Sequence, residues 1–242
     1  MTKKEKAYKL LALQEGISNR AAKDLIDRGV VFSGNKKVQI ARGELDIKSK
    51  FKIQKIQKIK KIFEDENIIA VDKPAFLNSD EISKKLGYPL LNRLDKETSG
   101  VLLLVKNEEF QKKAIKEYKE HRVLKEYIAW VEGRVVDEME INKPILSIKK
   151  GKAYSKISKD GKEAITFIKP LMIEGNKSKI KVIIKTGRTH QVRVHLKSIA
   201  HSIVGDVQYG GKPFKRVMLH SYKTELLGYS FISEEPKEFI IF

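Results

Sequence analysis

The first fifty residues combine short apolar runs with regularly placed turn residues. Residues 6–14 are predicted to form a short helix that stops near Gly16, because glycine readily terminates helices. Ser18 is a suitable N-cap for a second helix, which Gly29 would end. The apolar face of this second helix consists of Ala21, Ala22, Leu25 and Ile26. The chain then reaches Ser33-Gly34-Asn35, a hairpin signal, so the segment is predicted to be helix, helix and small sheet.

Beyond residue 62 the apolar pattern alternates between that of strands and that of helices. Strands are predicted over residues 68–71, 101–105, 127–131 and 179–185. Asn107 and Thr189 are the predicted N-caps of two helices. Their buried faces consist of Phe110, Ala114 and Tyr118 in the first, and Val192, Leu196 and Ile199 in the second. The pattern predicts an α+β fold with a large mixed, mostly antiparallel sheet flanked by helices.

A lysine-rich segment lies between these two regions. Isoleucine recurs at every third position there, at Ile53, Ile56 and Ile59, which fits neither a strand nor a long helix face. We therefore predict a small module over residues 1–54, a basic linker over residues 55–61 and a main domain over residues 62–242. A solvated connector explains the linker at least as well as a direct contact with a partner does.

The charge of the chain bears on its partner. There are 50 Lys and Arg residues against 31 Asp and Glu residues, a formal net charge of +19. A solvated, lysine-rich surface is one interpretation of this excess, and a polyanionic partner is the other. Nucleic acid is favoured over a membrane because the sequence has no lipid-seeking helix.

The sequence also indicates where the protein works. No apolar run approaches the ~20 residues that a membrane span needs, and no apolar signal core follows the basic N-terminus. Cysteine is absent, which excludes disulfides, thiolate catalysis and cysteine-zinc sites. We expect a cytoplasmic protein without a membrane partner.

The segment from Leu91 to Lys106 carries the most chemical information. Asp95 lies there between Arg93 and Lys96, in a loop that runs into the predicted apolar strand. A carboxylate beside cations stays ionised and can act as a nucleophile. On chemistry alone, an ordinary surface aspartate in a turn capped by Thr98 and Ser99 is the favoured interpretation.

Two further segments contain candidate chemistry. Lys125-Glu126-Tyr127-Ile128-Ala129 places a tyrosine on a strand, where a half-buried ring is the ordinary interpretation. The segment from Thr186 to Leu196 places Arg188 before a helix, and an arginine beside free backbone N–H groups is suited to binding phosphate.

These three segments, in this order, resemble the RluA-like branch of the RNA pseudouridine synthases, whose first pattern is His-Arg-Leu-Asp-x-x-Thr-Ser-Gly. The resemblance implies that Asp95 is the catalytic nucleophile and that Arg93 helps to displace the target base from its stack. It implies that Tyr127 lies against the base and accepts a proton, and that Arg193 forms a salt bridge with Asp95. Further along, Val204-Gly205-Asp206-x-x-Tyr209-Gly210-Gly211 extends the resemblance and is interpreted as scaffold and pocket wall.

The N-terminal segment from Gly16 to Val31, with Gly34-Asn35, is similar to the S4 RNA-binding module. A small helical cap on the main domain is the alternative. Together the two resemblances imply several RNA-binding residues. These are Arg93, Arg188, Thr189 and His190 in the main domain, and Arg20, Lys23 and Arg28 in the module.

The implied function is isomerisation of uridine to pseudouridine in structured RNA. Large-subunit ribosomal RNA is favoured over transfer RNA, because an S4-like module accompanies the large-subunit enzymes of this branch. The reaction involves neither a redox change nor net hydrolysis, so no cofactor or metal is expected, and we expect a monomer. The carboxylate attacks either C1′ of the sugar or C6 of the base, and both options remain open.

The sequence departs from the family pattern at two positions. Asn92 stands where the branch usually has histidine, and Phe76 follows Asp72-Lys73-Pro74-Ala75 where glycine is usual. Asn92 can replace some of the hydrogen bonds of histidine but carries no titratable charge, and the segment from Phe76 to Pro89 is short.

Three other functions would each explain part of the sequence. A non-catalytic RNA-binding or ribosome-assembly protein explains the charge and the first ~50 residues, but leaves the larger part of the chain unexplained. A metal-dependent RNA hydrolase needs clustered carboxylates, which the sequence does not indicate. His190, His195 and His201 suggest a zinc site, but their spacing fixes no tetrahedral geometry.

Overall fold

The computed structural model describes residues 3–148 and 153–241. The chain divides into two compact units, Met1–Lys58 and Ile59–Phe242. None of the described helices is both long and apolar enough to span a bilayer.

The first unit, as described from residue 3 onward, contains two helices and two small sheets. Its elements are β1 (Lys4–Lys6), α1 (Ala7–Glu15), α2 (Asn19–Arg28), β2 (Val31–Ser33), β3 (Lys36–Lys37), β4 (Glu44–Asp46) and β5 (Phe51–Ile53). β1 pairs with β4, and the second sheet has the order β3-β2-β5. The Ser18 side chain accepts a hydrogen bond from the Ala21 N–H, and Gly16 and Gly29 end the two helices in the left-handed conformation. The predicted helix caps of this unit are thus confirmed.

The second unit is built on a large sheet. Its elements are β6 (Lys60–Glu64), β7 (Ile68–Lys73), α3 (Ser79–Leu86), β8 (Ser99–Val105), α4 (Glu108–Lys119), β9 (Leu124–Glu132), β10 (Met139–Asn142), β11 (Ile145–Ile148), β12 (Tyr154–Ile157), β13 (Ile165–Glu174), β14 (Lys177–Ile184), α5 (Gln191–Ser198), β15 (Leu219–Leu226) and β16 (Tyr229–Ile232). β6 begins at Lys60, so the last two residues of the predicted linker lie in a strand.

The large sheet has the strand order β10-β13-β14-β9-β15-β8-β7-β6, with β16 beside β15. Among the described strands of this sheet, β8 and β15 pair in parallel and the other neighbours are antiparallel. This agrees with the predicted α+β fold and mostly antiparallel sheet. The parallel pair explains Gly100, which has φ +114°, because a Cβ there would lie 2.1 Å from the Ser221 carbonyl oxygen.

Strand β8 is buried throughout, and apolar from Val101 onward, because helices cover both of its faces. Val101, Leu103 and Val105 belong to a core that includes Phe110 of α4. On the opposite face, Leu102 and Leu104 pack in a second core with Ile82 of α3. The predicted cap of α4 is confirmed, since Asn107 Oδ1 accepts a hydrogen bond from the Phe110 N–H at 3.0 Å.

The N-terminus of α5 differs from the prediction. The helix begins at Gln191, and His190 precedes it in the left-handed conformation with φ 56°. Thr189 is exposed and is not the N-cap. Gln191 organises this turn instead, because its Oε1 accepts hydrogen bonds from the Arg188 N–H at 3.0 Å and the Thr186 hydroxyl at 2.8 Å.

Candidate active site

Asp95 lies in the loop between α3 and β8. Its side chain is 26% exposed, so it faces an open space while keeping protein partners. Leu94, the preceding residue, is fixed by Ser79, which donates to its carbonyl at 3.0 Å and accepts from its N–H at 3.1 Å. The Thr98 N–H closes the turn by donating to the Asp95 carbonyl at 3.1 Å. The start of α3 and the turn before β8 therefore fix the backbone of Asp95.

Arg193, on the first turn of α5, connects Asp95 to a second carboxylate. Its Nη1 donates to Asp95 Oδ2 at 3.2 Å, while Nε and Nη2 donate to the two oxygens of Asp206 at 2.7 and 2.8 Å. Burial, with 4% of the Arg193 side chain exposed, lowers its pKa, but the hydrogen bonds and charge of Asp206 and the charge of Asp95 raise it above the usual range. Arg193 therefore stays protonated. The predicted pairing of Arg193 with Asp95 is confirmed.

His190 lies near the other oxygen of the Asp95 carboxylate, Oδ1. Its Nε2 lies 3.8 Å from Asp95 Oδ1, and its Nδ1 lies 2.7 Å from the Tyr209 hydroxyl. Burial lowers the pKa of His190, with Asp95 opposing the shift, and burial raises the pKa of Tyr209 to about 12. A protonated Tyr209 can donate to Nδ1 of a neutral imidazole, which leaves the imidazole proton on Nε2, facing Asp95.

Tyr127, on β9, lies on the wall of the space that Asp95 faces. The two residues line a pocket of about 100 Å³, together with Ile184 and Leu219. Burial raises the pKa of Tyr127 to about 12, and Asp95 adds to the shift while a hydrogen bond with Ser221 opposes it. The phenol therefore keeps its proton at neutral pH.

Three of the predicted RNA-binding residues, Arg93, Arg188 and His190, line this pocket. Arg188 donates from Nε to the Glu163 carbonyl at 2.8 Å, and Thr189 beside it is exposed. Arg93 is 70% exposed and forms a bidentate pair with Asp80, at 3.1 and 2.9 Å. Arg93 and Arg188 also line a larger groove that adjoins the pocket.

The remaining predicted RNA-binding residues lie on α2, in the other unit. Arg28 donates to Asp24 at 2.7 Å, and the Lys23 amine lies 4.3 Å from the centre of the Tyr8 ring. Arg20 is exposed on the first turn of α2.

Comparison with known proteins identifies the family. The sequence pattern of the family described as RNA pseudouridylate synthase matches residues 71–198, which include Asp95, Tyr127 and Arg193. The chain belongs to this family. It is an RNA pseudouridine synthase, an enzyme that isomerises uridine in RNA.

Similar proteins support this assignment. A protein of Helicobacter pylori strain J99, named as an uncharacterized RNA pseudouridine synthase, is 56% identical over 241 residues, covering 98% of this synthase and 100% of that protein. The ribosomal large subunit pseudouridine synthase D of Borreliella burgdorferi is 36% identical over 216 residues, covering 75% of this chain and 66% of that protein. The solved human RNA Pseudouridylate Synthase Domain Containing 1 has a TM-score of 0.65 at 24% identity, covering 74% and 84% of the two chains, and it supports the fold.

The two departures from the family pattern have structural explanations in this synthase. Phe76 has φ +72° and is buried, so the backbone adopts the left-handed conformation that glycine adopts without strain. The strain of about 1–2 kcal/mol is opposed by burial of the ring, which contributes about 1.5–3 kcal/mol. Asn92 Oδ1 accepts a hydrogen bond from the Leu103 N–H at 2.8 Å, so the amide supports the edge of β8.

Sequence reasoning missed how much the site depends on buried residues outside the three motifs. Lys73 is fully buried, and its amine donates to the carbonyls of Pro74, Leu77 and Lys96, at 3.1, 2.7 and 3.3 Å. Burial lowers the pKa of Lys73 to about 7. The hydrogen bonds of Lys73 therefore connect the loop after β7 to Lys96, the residue that follows Asp95. The sequence offered only the Lys-Pro pair as a signal, and burial of the amine could not be read from it.

Asp206 and Tyr209 were interpreted as scaffold, and both contact the predicted catalytic residues directly. Asp206 is buried and accepts two hydrogen bonds from Arg193. The centre of the Tyr209 ring lies 4.9 Å from the Arg193 guanidinium. The motif that contains them was visible in the sequence, but their partners lie 13–19 residues earlier and could not be assigned from spacing.

The three histidines weighed as a zinc site have separate partners. His190 contacts Tyr209, whereas His195 contacts the Thr166 hydroxyl at 2.9 Å, and His201 contacts the Glu132 carbonyl at 2.9 Å. Within residues 3–148 and 153–241 no group of three or more His, Asp or Glu side chains is arranged to hold a metal ion.

Proposed function

We propose that this enzyme converts uridine to pseudouridine in structured RNA with Asp95 as the nucleophile. The observation that carries the proposal is the position of the Asp95 carboxylate. It faces a pocket that Tyr127 lines, and it accepts a hydrogen bond from the buried, protonated Arg193. A carboxylate hydrogen-bonded to a fixed cation is held in one orientation, as nucleophilic attack requires.

The isomerisation balances without a further reactant. The Asp95 carboxylate adds to C1′ of the ribose or to C6 of the uracil, and the N-glycosidic bond breaks. The electron pair of the N-glycosidic bond passes to N1, and the uracil turns within the pocket. Its C5 then forms the new bond to C1′, and the carboxylate is released from C1′ as that bond forms or, on the other route, is eliminated from C6 after it. A base removes the proton from C5 and N1 takes up a proton, so that atoms and charge balance.

Arg193 is suited to serve Asp95 throughout this cycle. Because Asp206 binds two of its nitrogens, the guanidinium keeps its position whether or not Asp95 is bound covalently to the substrate. The stronger pairing with Asp206 also leaves Asp95 available for attack, since Asp95 receives a single, longer hydrogen bond from Arg193.

Tyr127 is proposed to lie against the uracil and to accept the C5 proton. Its phenol has a pKa of about 12, so it must release its own proton before it can accept another. The expected consequence is a rate that rises with pH, which is a direct test of this role.

The target uridine must leave its stack to reach so small a pocket, at a cost of a few kcal/mol. We propose that contacts outside the pocket stabilise the extruded state. Arg93, Arg188, Thr189 and His190 would act near the pocket. Unit 1 would be the S4-like module that binds RNA through Arg20, Lys23 and Arg28.

The substrate is proposed to be ribosomal RNA. The support comes from the name of the similar Borreliella burgdorferi protein, a ribosomal large subunit pseudouridine synthase, together with the proposed S4-like module. A cytoplasmic location and a monomeric state stay predictions from the sequence.

The decisive experiment measures release of tritium from large-subunit ribosomal RNA transcribed with C5-tritiated uridine. We expect release by the parental protein and none above background by Asp95→Asn. A non-catalytic RNA-binding protein would retain the RNA and release no tritium. Mapping pseudouridines in RNA from cells that lack the gene would then identify the site.

A further inference from the structure

A groove of about 1010 Å³ adjoins the catalytic pocket, which has about 100 Å³. The two spaces share Arg93, Tyr127 and Arg188 among their lining residues, so they lie side by side. The far side of the groove is formed by the last turn of α4 and the residues after it, including Lys119 and His121. None of the three family motifs contains these α4 residues.

The charge of the groove favours an anionic ligand. Arg93, Lys119, Lys125 and Arg188 line it, and among its described lining residues Asp80 is the one carboxylate. Asp80 is paired with Arg93 through two hydrogen bonds, which offsets its charge. The groove therefore presents a net positive charge next to the pocket.

The groove also has an apolar side. Ile115 of α4 is 42% exposed, although it is a large aliphatic residue. It lies three and four residues before Tyr118 and Lys119, so the three side chains share one face of the helix. Ile115 and Lys119 give this face an exposed apolar surface and a cation, which suit an unpaired base and its phosphate, while Tyr118 packs partly against the core beneath them.

We propose that this groove is a subsite for the nucleotides that adjoin the target uridine on the same RNA strand, in single-stranded form. Ile115 contacts a neighbouring base, and Lys119 contacts a phosphate. The proposal rests on the proposed function, because it takes the target uridine to occupy the pocket beside Asp95. It deepens that function by requiring that bases beside the target be unpaired.

The catalytic pocket supports this assignment through its size. A pocket of about 100 Å³ has no room for two nucleotides, and the groove is an adjoining space in which the strand can continue. A strand in the groove gains contacts only if its bases are unstacked and accessible, since a paired base presents no free face to Ile115.

The charge contact is tested with Lys119→Gln and, as a matched control, Lys113→Gln. Lys113 lies on the same helix, is exposed and does not line the groove. The probe is a ten-residue oligouridylate, whose binding is measured at several salt concentrations. For Lys119→Gln we expect about fivefold weaker binding and a slope of log K against log salt that is shallower by about 0.7. Lys113→Gln should match the parental protein. Equal effects of the two substitutions, or no effect of either, would overturn the proposal.

The apolar contact is tested with Ile115→Ser, and Leu171→Ser is the control. Leu171 is similarly exposed, at 46%, and lies on β13 away from the groove lining. We expect about threefold weaker oligouridylate binding for Ile115→Ser, with the salt slope unchanged, because a base contact releases no counterion. Unchanged binding by Ile115→Ser, or an equal loss in Leu171→Ser, would contradict a base-binding surface.

These binding measurements separate the subsite from the proposed function. Oligouridylate binding requires no chemistry, so it responds to the groove even if the protein releases no tritium from ribosomal RNA. Absence of tritium release together with specific losses in Lys119→Gln and Ile115→Ser would refute the proposed substrate and retain the groove as an RNA-binding surface. Tritium release with unaltered KM in both variants would retain the function and overturn the subsite.

Discussion

Asp206 holds Arg193 through two hydrogen bonds of 2.7 and 2.8 Å, whereas Asp95 accepts a single one of 3.2 Å from the same guanidinium. The cation at the catalytic pocket is therefore fixed mainly by a carboxylate outside the three motifs. Asp206 is buried and has no access to the substrate space, so we assign it a positioning role.

Replacing Asp206 with asparagine should impair both stability and turnover. Removing one charge of a buried pair costs roughly 3 kcal/mol in the free energy of unfolding. With its main partner weakened, Arg193 should shift towards Asp95, and we expect kcat to fall about tenfold or more with little change in KM. Urea denaturation and tritium-release kinetics measure the two effects. Asp160→Asn, at an exposed turn, is the control, and an Asp206→Asn enzyme with parental kcat would contradict the positioning role.

Asp95→Asn should abolish isomerisation and leave the fold nearly intact. The amide keeps the shape of the carboxylate but is a far weaker nucleophile, so turnover should fall by about 10³ or more. Arg193 keeps its pair with Asp206, which is why the melting temperature should change little. RNA binding by filter retention should match the parental protein. Multiple turnover by a clean preparation of Asp95→Asn would disprove the assignment of the nucleophile.

The rate should rise with pH if the Tyr127 phenolate accepts the C5 proton. The pKa of about 12 lies above the working range, so the ionised fraction grows about tenfold per pH unit between pH 6.5 and 9. We expect single-turnover rates to follow this slope, and Tyr127→Phe to bind RNA while product formation is severely slowed. A parental rate in Tyr127→Phe, or a flat profile in the parental enzyme, would exclude this role.

The pH series needs a check on folding, because Lys73 titrates in the same range. Its folded-state pKa is lowered to about 7, so the unfolded chain binds the proton more tightly. The contribution of Lys73 to stability therefore increases as the pH rises above 7 and is lost as the pH falls through that value. Melting temperatures recorded at each pH separate this effect from the titration of Tyr127.

The sequence predicted local features better than contacts between distant segments. The caps at Ser18 and Asn107 followed from residue type, because each side chain bonds to its own turn. The proximity of Asp95 and Arg193, 98 residues apart, came from the family resemblance and not from periodicity. The cap at Thr189 was wrong because the side chain of Gln191, inside the helix, bonds to the turn instead.

The burial of polar residues around the site could not be predicted from the sequence, for a physical reason. Lysine is ordinarily exposed, and only the three carbonyls that converge on the amine make burial of Lys73 tolerable. Phe76 likewise follows no local rule, since its left-handed backbone is stabilised by the core around it. Such positions depend on tertiary packing, and they surround the candidate site.

Removal of residues 1–58 tests the proposed RNA-binding module. The truncation ends before Ile59, because β6 begins at Lys60 and contributes to the large sheet. The second unit has its own cores and contains Asp95, Tyr127 and Arg193, so it should fold and keep most of its single-turnover rate on saturating RNA. RNA affinity should fall, since the module carries Arg20, Lys23 and Arg28 on one helix.

The salt dependence of binding decides between the module and the alternative of a packing cap. Loss of phosphate contacts makes the slope of log K against log salt shallower by about 0.7–0.9 for each contact removed. The triple variant Arg20→Gln, Lys23→Gln, Arg28→Gln removes three positive charges from the full chain. It should reproduce the change in slope, because these three side chains would supply the phosphate contacts. If residues 1–58 are instead a small helical cap that stabilises the main domain, the truncated protein should give the opposite pair of results. Its melting transition should collapse, and the salt slope of its RNA binding should be unchanged. That pair would remove the RNA-binding role from residues 1–58.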